Sequence, residues 1–258
     1  MRVSFFLSTF LVILFGIQPG FAQGDLQVGV PFLMKSPGAE SNAMGLTSVA
    51  NVTGDPLASI MNPAQLGMQS LTTSFSGGYD YAKWYPNYRA LGFSAIDSWF
   101  RNYALIAGIN LKKAYGIEPV MSVGLGYSNV HFYEAFPPAS YSLHESSNQY
   151  TLGIGLDYWL RGSFGITYRR IVSDFGVIQG RDVTASVGSY DYGLMLEAPM
   201  VGILSRLQGA PVEFVPGLSP FFNLTLGLSR NNLGDNGVWY VDPAQADPLP
   251  RYARIGRG

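Results

Sequence analysis

The chain has 258 residues, of which 47% are apolar and only 13% are charged, and its net charge is −1. A soluble surface usually carries about 25% charged residues, so this composition predicts that much of the surface faces something other than water. The small net charge and the lack of a basic block argue against nucleic acid as a partner. Cysteine is absent, which excludes disulfides and thiolate metal sites.

The first 22 residues have the organisation of a secretory signal. Arg2 gives a positive start, an apolar run extends from Val3 to Ile17, and small residues precede a cleavage point after Ala22. A membrane-anchoring helix is the alternative, but the run is shorter than the about 20 residues that a helical span needs. We therefore expect residues 1–22 to be a signal peptide that is removed on export.

Residues 23–70 differ from the rest of the chain because they show little alternation and are rich in Gly, Ala, Ser, Asn and Met. Asp55-Pro56 and Asn62-Pro63 are signals for turns or helix starts. A disordered leader is one interpretation, but the apolar content of the segment is high for disorder. We interpret residues 23–70 as a folded plug, or hatch, inside a barrel.

From about Leu71 onward the sequence alternates with period two, the pattern of β-strands. The clearest stretch is Gln149 to Leu160, where Leu152, Ile154 and Leu156 share an apolar face with aromatic residues near both ends. A bilayer interface favours aromatic residues at such positions. Similar stretches are Thr72–Tyr81, Tyr88–Ile96, Asn102–Lys113, Pro119–Tyr133, Gly162–Ile171, Asp182–Glu197 and Phe221–Arg230. The phase of Asp182–Glu197 changes near Gly188, which predicts a β-bulge there.

The opposite faces of these strands distinguish a membrane barrel from a soluble β-protein. A soluble sandwich fills its inner faces with large side chains and puts charged ones outside. Here the non-apolar faces are rich in Gly, Ser, Thr and Asn and poor in charge, which is typical of a crowded, hydrated barrel interior. We therefore predict that residues 71–258 form an all-β, antiparallel transmembrane β-barrel in a bacterial outer membrane, surrounded by outer-membrane lipids. A soluble β-protein is the alternative.

The strand count predicts that this chain does not close the barrel. About eight strands precede Pro250, and Arg251 to Gly256 begins another. Bacterial single-chain barrels have an even number of strands, and unpaired backbone groups in lipid each cost several kcal/mol. We expect the C-terminal part of the barrel to be missing and the first and last strands to be unpaired. The alternative is a closed eight-stranded barrel with Arg251 to Gly258 as a tail.

Short motifs follow one another in a fixed order along the plug segment. They are Phe32-Leu33, Pro37-Gly38-Ala39, Ala43-Met44-Gly45, Gly54-Asp55-Pro56 and Met61-Asn62-Pro63-Ala64-Gln65-Leu66. Together they resemble the N-terminal motif of the PorV/PorQ-type outer-membrane proteins, distant relatives of the FadL long-chain fatty-acid transporters. The sequence departs from that pattern at Glu40, where a basic residue is expected, at Ala43 for Gly, and at Met61 for an aromatic residue. Further resemblance lies in Tyr192–Glu197, Gly227–Gly234 and Asp247–Arg251.

The resemblance implies a fourteen-stranded barrel with an N-terminal hatch and one of two functions. The first is the binding or passage of hydrophobic small molecules, for which we predict a pocket near the hatch lined by Phe32, Leu33, Met34 and Met44. The second is an accessory role in type IX protein secretion, in which long rim loops bind secreted proteins. Tyr133–Ser147 and Val201–Ser219 are the candidate loops. A barrel with only a structural role is a third possibility.

Motifs for chemistry are absent from the sequence: it contains no G-x-S-x-G elbow, P-loop or metal motif. The pairs Gly124-x-Gly126 and Gly153-x-Gly155 mimic the start of a dinucleotide fingerprint, but we interpret them as strand glycines that face the interior. Asp157, Arg169 and Lys112 are expected to hydrate or cross-link the interior, with a binding site as the alternative. We expect no enzymatic activity, no cofactor and no metal.

The two histidines are the remaining candidates for a metal site. His131 is predicted at the end of a strand, and His144 is predicted in the loop that follows Pro137-Pro138. Paired metal ligands are one interpretation, and rim histidines without a metal are the one we favour.

Overall fold

The computed structural model describes the chain in twelve ranges. These are residues 29–35, 38–45, 47–83, 98–116, 120–135, 142–178, 180–215, 217–218, 220–234, 237–242, 244 and 246–257. The predictions of a signal peptide at residues 1–22, of Pro37 as a motif residue and of a strand at Tyr88–Ile96 lie outside these ranges.

The described residues form one antiparallel sheet in which eight strands follow each other in sequence order. The strands are β1 (Phe75–Lys83), β2 (Ser98–Asn110), β3 (Val120–Ala135), β4 (Ser142–Asp157), β5 (Arg161–Ile178), β6 (Arg181–Pro199), β7 (Asn223–Gly234) and β8 (Tyr252–Arg257). The α-helices are α1 (Ala39–Ala43), α2 (Ala64–Ser70), α3 (Leu111–Tyr115) and α4 (Met200–Gln208), and 3₁₀ helices span Pro31–Met34, Thr47–Val49 and Pro56–Ile60. None of the helices in the described ranges is long and apolar enough to cross a membrane.

Local signals explain where two predicted strands end early. The strand predicted to reach Lys113 stops at Asn110, because the Asn110 side chain accepts a hydrogen bond from the Lys113 N–H and starts α3. The strand predicted to reach Leu160 stops at Asp157, and Tyr158 N–H donates to the Leu160 carbonyl to close a tight turn. Two other predicted strands begin late, at Phe75 instead of Thr72 and at Asn223 instead of Phe221. Apart from these boundaries and the undescribed range, the predicted strands are confirmed.

The β-bulge predicted near Gly188 is not in β6; the nearest irregularity is a register shift between β6 and β7 at Tyr190/Tyr192, where β7 has the extra residue. β6 pairs with β5 without interruption from Thr184 to Glu197, and its burial pattern keeps one phase throughout. Ala185 and Val187 are apolar but lie on the same face as Ser189, because the sheet there packs against an apolar cluster rather than a polar interior. The apparent change of phase is therefore a change of environment along one face.

The edges of the sheet are unpaired in the described residues. β1 pairs only with β2, and β8 pairs only with β7, so the sheet is not closed. The predicted strand after Pro250 is confirmed as β8, and the alternative that treats these residues as a tail is wrong. The expectation that the first and last strands do not pair is confirmed.

The connections between strands alternate between the two ends of the sheet, as in any antiparallel meander. We name the end with residues 111–116, 158–160 and 200–215 the hairpin end, and the opposite one the far end. The two predicted rim loops therefore lie at opposite ends. Most of Tyr133–Ser147 belongs to β3 and β4 at the far end, and Val201–Ser219 contains most of α4 at the hairpin end. The two candidate loops therefore do not share one end of the sheet.

Residues 29–71, which we call the N-terminal segment, lie across one face of the sheet. α2 contacts β2 to β6, the 3₁₀ helix Pro56–Ile60 contacts β1 to β3, and the 3₁₀ helix Thr47–Val49 contacts β7 and β8. We call this the inner face and the opposite one the outer face. The segment thus touches every strand of the sheet.

Candidate functional site

The outer face carries exposed apolar side chains at alternate positions of most strands. Leu152 and Ile154 of β4 are 39% and 44% exposed, whereas Gln149 and Thr151 on the inner face are buried. The predicted assignment of the two faces of β4 is therefore confirmed. Leu105, Leu125, Ile166, Leu194 and Ile255 continue the exposed apolar surface across the sheet.

A row of six tyrosines crosses the outer face. Tyr127, Tyr150, Tyr168 and Tyr190 are direct neighbours on β3 to β6, with Tyr79 and Tyr103 paired on β1 and β2. The rings of Tyr103 and Tyr127, whose centroids are 6.0 Å apart, join the two groups. The tyrosines are visible in the sequence, but only the register between the strands shows that they form a row.

The tyrosine row marks a change in the polarity of the outer face. Towards the far end, the next positions are polar: Asn129 pairs with Asn148, and Asn148 with Arg170. Towards the hairpin end, an apolar band extends to the β4–β5 turn, where Tyr158 and Trp159 are exposed. Tyr150 and Asp157, where β4 ends, are separated by about 23 Å along the strand, at about 3.3 Å per residue.

A groove of about 530 Å³ lies in the apolar band beneath the tyrosine row. Its lining is almost entirely apolar and comes mainly from β2 to β6, with Phe75 of β1 at one side. Such a surface contacts apolar groups, such as hydrocarbon chains, far better than water.

The inner face carries a row of five directly paired glycines. Gly108, Gly124, Gly153, Gly165 and Gly193 lie side by side on β2 to β6. The predicted inward orientation of the strand glycines is thus confirmed at Gly124 and Gly153.

The glycine row brings the N-terminal segment unusually close to the sheet. A Cβ on Gly165 would lie 2.2 Å from the Pro63 carbonyl oxygen, and one on Gly153 would lie 2.6 Å from the Gly67 backbone nitrogen. Glycine in a strand interior often marks such a close backbone approach. The five glycines therefore form a smooth track on which α2 rests.

Serine and asparagine side chains at the edges of this track bind the backbone of α2. Ser122 Oγ donates to the Gly67 carbonyl at 2.9 Å, and Ser163 Oγ donates to the Ala64 carbonyl at 2.8 Å. These bonds satisfy backbone acceptors that are buried between the segment and the sheet.

Two of the motif residues in the first part of the N-terminal segment, Gly38 and Pro56, lie next to Asp55. Gly38 approaches so closely that a Cβ on it would lie 2.8 Å from Asp55 Oδ2. Asp55 Oδ1 accepts from the Leu57 N–H at 2.9 Å and caps the 3₁₀ helix that Pro56 begins. Burial raises the pKa of the Asp55 carboxyl, and the bond from Leu57 opposes that shift. Met44 and Gly45 lie apart from Asp55, at the exposed end of α1, which Ala39 begins.

Asn62, Pro63 and Ala64 form the start of α2. Asn62 Oδ1 accepts from the Ala64 N–H at 3.0 Å, and Asn62 Nδ2 donates to the Val49 carbonyl at 2.7 Å. The side chain is fully buried. Asn62 thus joins the 3₁₀ helix Thr47–Val49 to the start of α2.

We expect Asn62→Ala to lower the free energy of unfolding by about 1–3 kcal/mol, because buried backbone groups lose their partners. Asn51→Ala is the matched control, since Asn51 is a half-buried asparagine of the same segment that makes neither contact. Denaturant titration measures both variants. Equal stability of the two would contradict the role assigned to Asn62.

Gln65 and Gln69 of α2, for which the sequence predicts no role, complete this arrangement. Gln65 Nε2 donates to the carbonyls of Ser48 and Asn51, and Gln69 Nε2 donates to that of Asp55 at 2.8 Å. Their spacing of four residues on α2 puts both on one helix face. The four-residue spacing can be read from the sequence, but it does not show which backbone carbonyl groups the two side chains bind.

A buried ion pair connects the N-terminal segment to three strands. Arg169 of β5 pairs with Asp191 of β6, and Arg169 Nη2 donates to the Ile60 carbonyl at 2.8 Å. Asp191 Oδ1 accepts from the Asn232 N–H of β7 at 2.7 Å. Arg169 therefore cross-links the inner face, as expected, whereas Asp157 pairs with Arg161 beside the β4–β5 turn.

The four residues predicted to line a hydrophobic pocket are not brought together. Phe32 and Leu33 are buried in an apolar cluster at the far end, together with Phe100, Val130 and Ile171. Met34 and Met44 are exposed. The role of these four residues stays a prediction.

The histidines lie on neighbouring strands of the outer face. His144 belongs to β4, so its prediction as a loop residue is wrong; the strand begins at Ser142. The ring centroids of His131 and His144 are 6.2 Å apart in an edge-on arrangement, and Trp99 stacks on His131 at 5.2 Å. These contacts make the histidines part of an aromatic cluster near the far end.

Comparisons with known proteins give no relative. No family model matches the chain, and no curated protein or solved structure does either.

Proposed function

We propose that this protein is an outer-membrane β-barrel of the PorV/PorQ, FadL-like type that binds or passes hydrophobic small molecules. The sheet is part of the barrel wall, the outer face contacts lipid, and the N-terminal segment is a plug on the interior side. The observation that supports this proposal most directly is the exposed apolar band between the tyrosine row and the β4–β5 turn.

The dimensions and borders of this band support the membrane assignment. Strands of a transmembrane barrel are tilted by about 35–45°, so the about 23 Å of β4 between Tyr150 and Asp157 corresponds to a height of roughly 16–19 Å, and the turn with Tyr158 and Trp159 extends the band towards the about 25 Å of known barrels. Aromatic residues border the band on both sides, as at the two interfaces of a bilayer. A soluble protein would instead pay for a water-exposed apolar surface of this extent.

Lipid also imposes a requirement on the edges of the sheet. The unpaired N–H and C=O groups of β1 and β8 each cost several kcal/mol in hydrocarbon. In the membrane, further strands must therefore cover these two edges.

Binding or passage of hydrophobic molecules rests on the resemblance of the motifs and on the position of the N-terminal segment. The segment contacts all eight strands, so it occupies the interior side of the wall where a passage would run. At α2 the segment contacts the sheet through hydrogen bonds and close backbone packing, and Phe32, Leu57 and Ile60 add an apolar cluster against the strands.

An accessory role in type IX secretion, with binding of secreted proteins, is the second candidate. The observation that favours this role is the far end, where β2 and β3 extend beyond the tyrosine row and carry the half-buried cluster of Trp99, His131 and Tyr133. Aromatic side chains such as tryptophan and tyrosine are common anchors in protein interfaces.

One purification separates the two candidates. The protein, expressed with its signal in a Gram-negative host, is isolated from separated outer membranes, and bound lipids and proteins are identified by mass spectrometry. Passage of hydrophobic molecules predicts co-purified fatty acids or related lipids and uptake of a fluorescent fatty acid into proteoliposomes. The secretion role predicts co-purified proteins and no uptake. Recovery in the soluble periplasmic fraction would contradict the membrane assignment itself.

We expect Ile154→Arg to destabilise the protein in phospholipid vesicles by about 2–4 kcal/mol, because it puts a charge near the centre of the apolar band. Ser146→Arg is the matched control on the same face of β4, beyond the tyrosine row, with an expected cost of about 0–1 kcal/mol. Both are measured by denaturant titration in vesicles. Equal effects of the two substitutions would contradict a lipid-facing band.

A further inference from the structure

Helix α4 has an apolar face that the described residues leave largely uncovered. Its apolar residues Met200, Val201, Ile203, Leu204 and Leu207 recur at the spacing of one helix face. No residue of the helix is buried, and Leu207 is 68% exposed. An isolated helix of nine residues is unstable in water, because helices shorter than about 12–15 residues are marginal there. This helix therefore needs a surface to cover it.

The position of α4 identifies the surface that is available. Arg206 Nη1 donates to the Tyr158 carbonyl at 2.6 Å, and its guanidinium carbon lies 5.8 Å from the centre of the Trp159 ring. Both contacts are with the β4–β5 turn, which borders the apolar band at the hairpin end. The helix thus lies at the same level as the aromatic border of that band.

The chain that follows α4 extends the apolar surface. Phe214, Phe221 and Phe222 are exposed by 77%, 89% and 55% before β7 begins. Aromatic and leucine side chains on one side, with a basic residue near the polar side, are the composition of helices that lie in a membrane interface. Arg206 supplies the basic group, which favours anionic head groups.

We propose that α4 and the phenylalanines after it form an interfacial element that lies in the head-group layer of the bilayer at the hairpin end. Its apolar face enters the acyl region, and Arg206 holds it against the barrel wall. The ligand class is phospholipid, with anionic head groups favoured. This inference rests on the proposed membrane function, and it assigns the connection between β6 and β7 to lipid rather than to a secreted protein.

The absence of cysteine makes a direct test simple, because a single introduced cysteine reports one position. Leu207→Cys probes the apolar face of α4, Gly202→Cys is the matched control on its polar face, and Ile154→Cys reports the barrel wall. Each variant carries an environment-sensitive fluorophore and is reconstituted in vesicles of phosphatidylcholine and phosphatidylglycerol. Spin-labelled lipids with a quencher near the head group or deep in the acyl chain give the depth.

The expected result is strong quenching at Leu207 by the shallow quencher, at a depth of about 5–10 Å below the head groups, with little quenching at Gly202. Ile154 should respond mainly to the deep quencher. If Leu207 and Gly202 behave alike while Ile154 is quenched, the interfacial element is overturned and the membrane barrel stands. Protection of Leu207 without lipid quenching would likewise overturn it, since protein would then cover the helix. If Ile154 is not quenched, both proposals fail.

Discussion

Replacing Arg169 by methionine should lower the free energy of unfolding by about 3–5 kcal/mol, the usual effect of removing one partner of a buried ion pair. The carboxylate of Asp191 would stay buried, with only the Asn232 N–H as its described donor, and the Ile60 carbonyl would lose its partner. Denaturant titration of the refolded protein in detergent micelles or vesicles measures this loss.

Two further variants make the result specific. Arg170→Met changes the neighbouring, exposed arginine of β5 and should alter stability by no more than about 0.5 kcal/mol. Arg169→Met combined with Asp191→Leu removes both charges and should be more stable than Arg169→Met alone, because no buried charge remains uncompensated. A single Arg169→Met variant as stable as Arg170→Met would show that the pair contributes nothing.

Gly165→Val should displace the N-terminal segment from the sheet. The new Cβ would lie 2.2 Å from the Pro63 carbonyl oxygen, a backbone atom that cannot turn aside as a flexible side chain can. Overpacking a close contact costs about 1–3 kcal/mol or more, so we expect lower stability and cleavage by thermolysin within residues 47–71. The strand ladder should persist, because valine favours β-structure.

Gly162→Val is the matched control for this displacement. Gly162 lies on the outer face of the same strand, and a Cβ there would meet only the Leu196 side chain, at 3.4 Å. This variant should keep the segment as resistant to thermolysin as the original protein. Equal resistance of Gly165→Val would contradict the close approach between the segment and the glycine row.

Alternation predicted the strands and their faces well, because period-two burial is a local property of the sequence. It failed near Gly188 because the inner face is not uniformly polar: Ala185 and Val187 meet an apolar cluster built from other strands and from the N-terminal segment. The environment of a face depends on what packs on it, and no single strand contains that information.

The candidate site was only partly accessible to sequence reasoning for the same reason. The motif that ends in Asn62-Pro63-Ala64 correctly marked the start of a structured element, since its capping contacts are local. The glycine row and the tyrosine row are properties of the register between strands. The sequence around Asp191 does not indicate that this residue forms an ion pair, because its partner Arg169 lies on another strand.

The track that receives α2 does not exist until β2 to β6 have paired, although α2 precedes all of them in the chain. Asn62 donates to the Leu194 carbonyl, 132 residues later, and the Tyr252 hydroxyl donates to the Leu33 carbonyl across 219 residues. Contacts between such distant residues form slowly, because a long loop must close first. The N-terminal segment is thus among the last parts of the described chain to reach its native position.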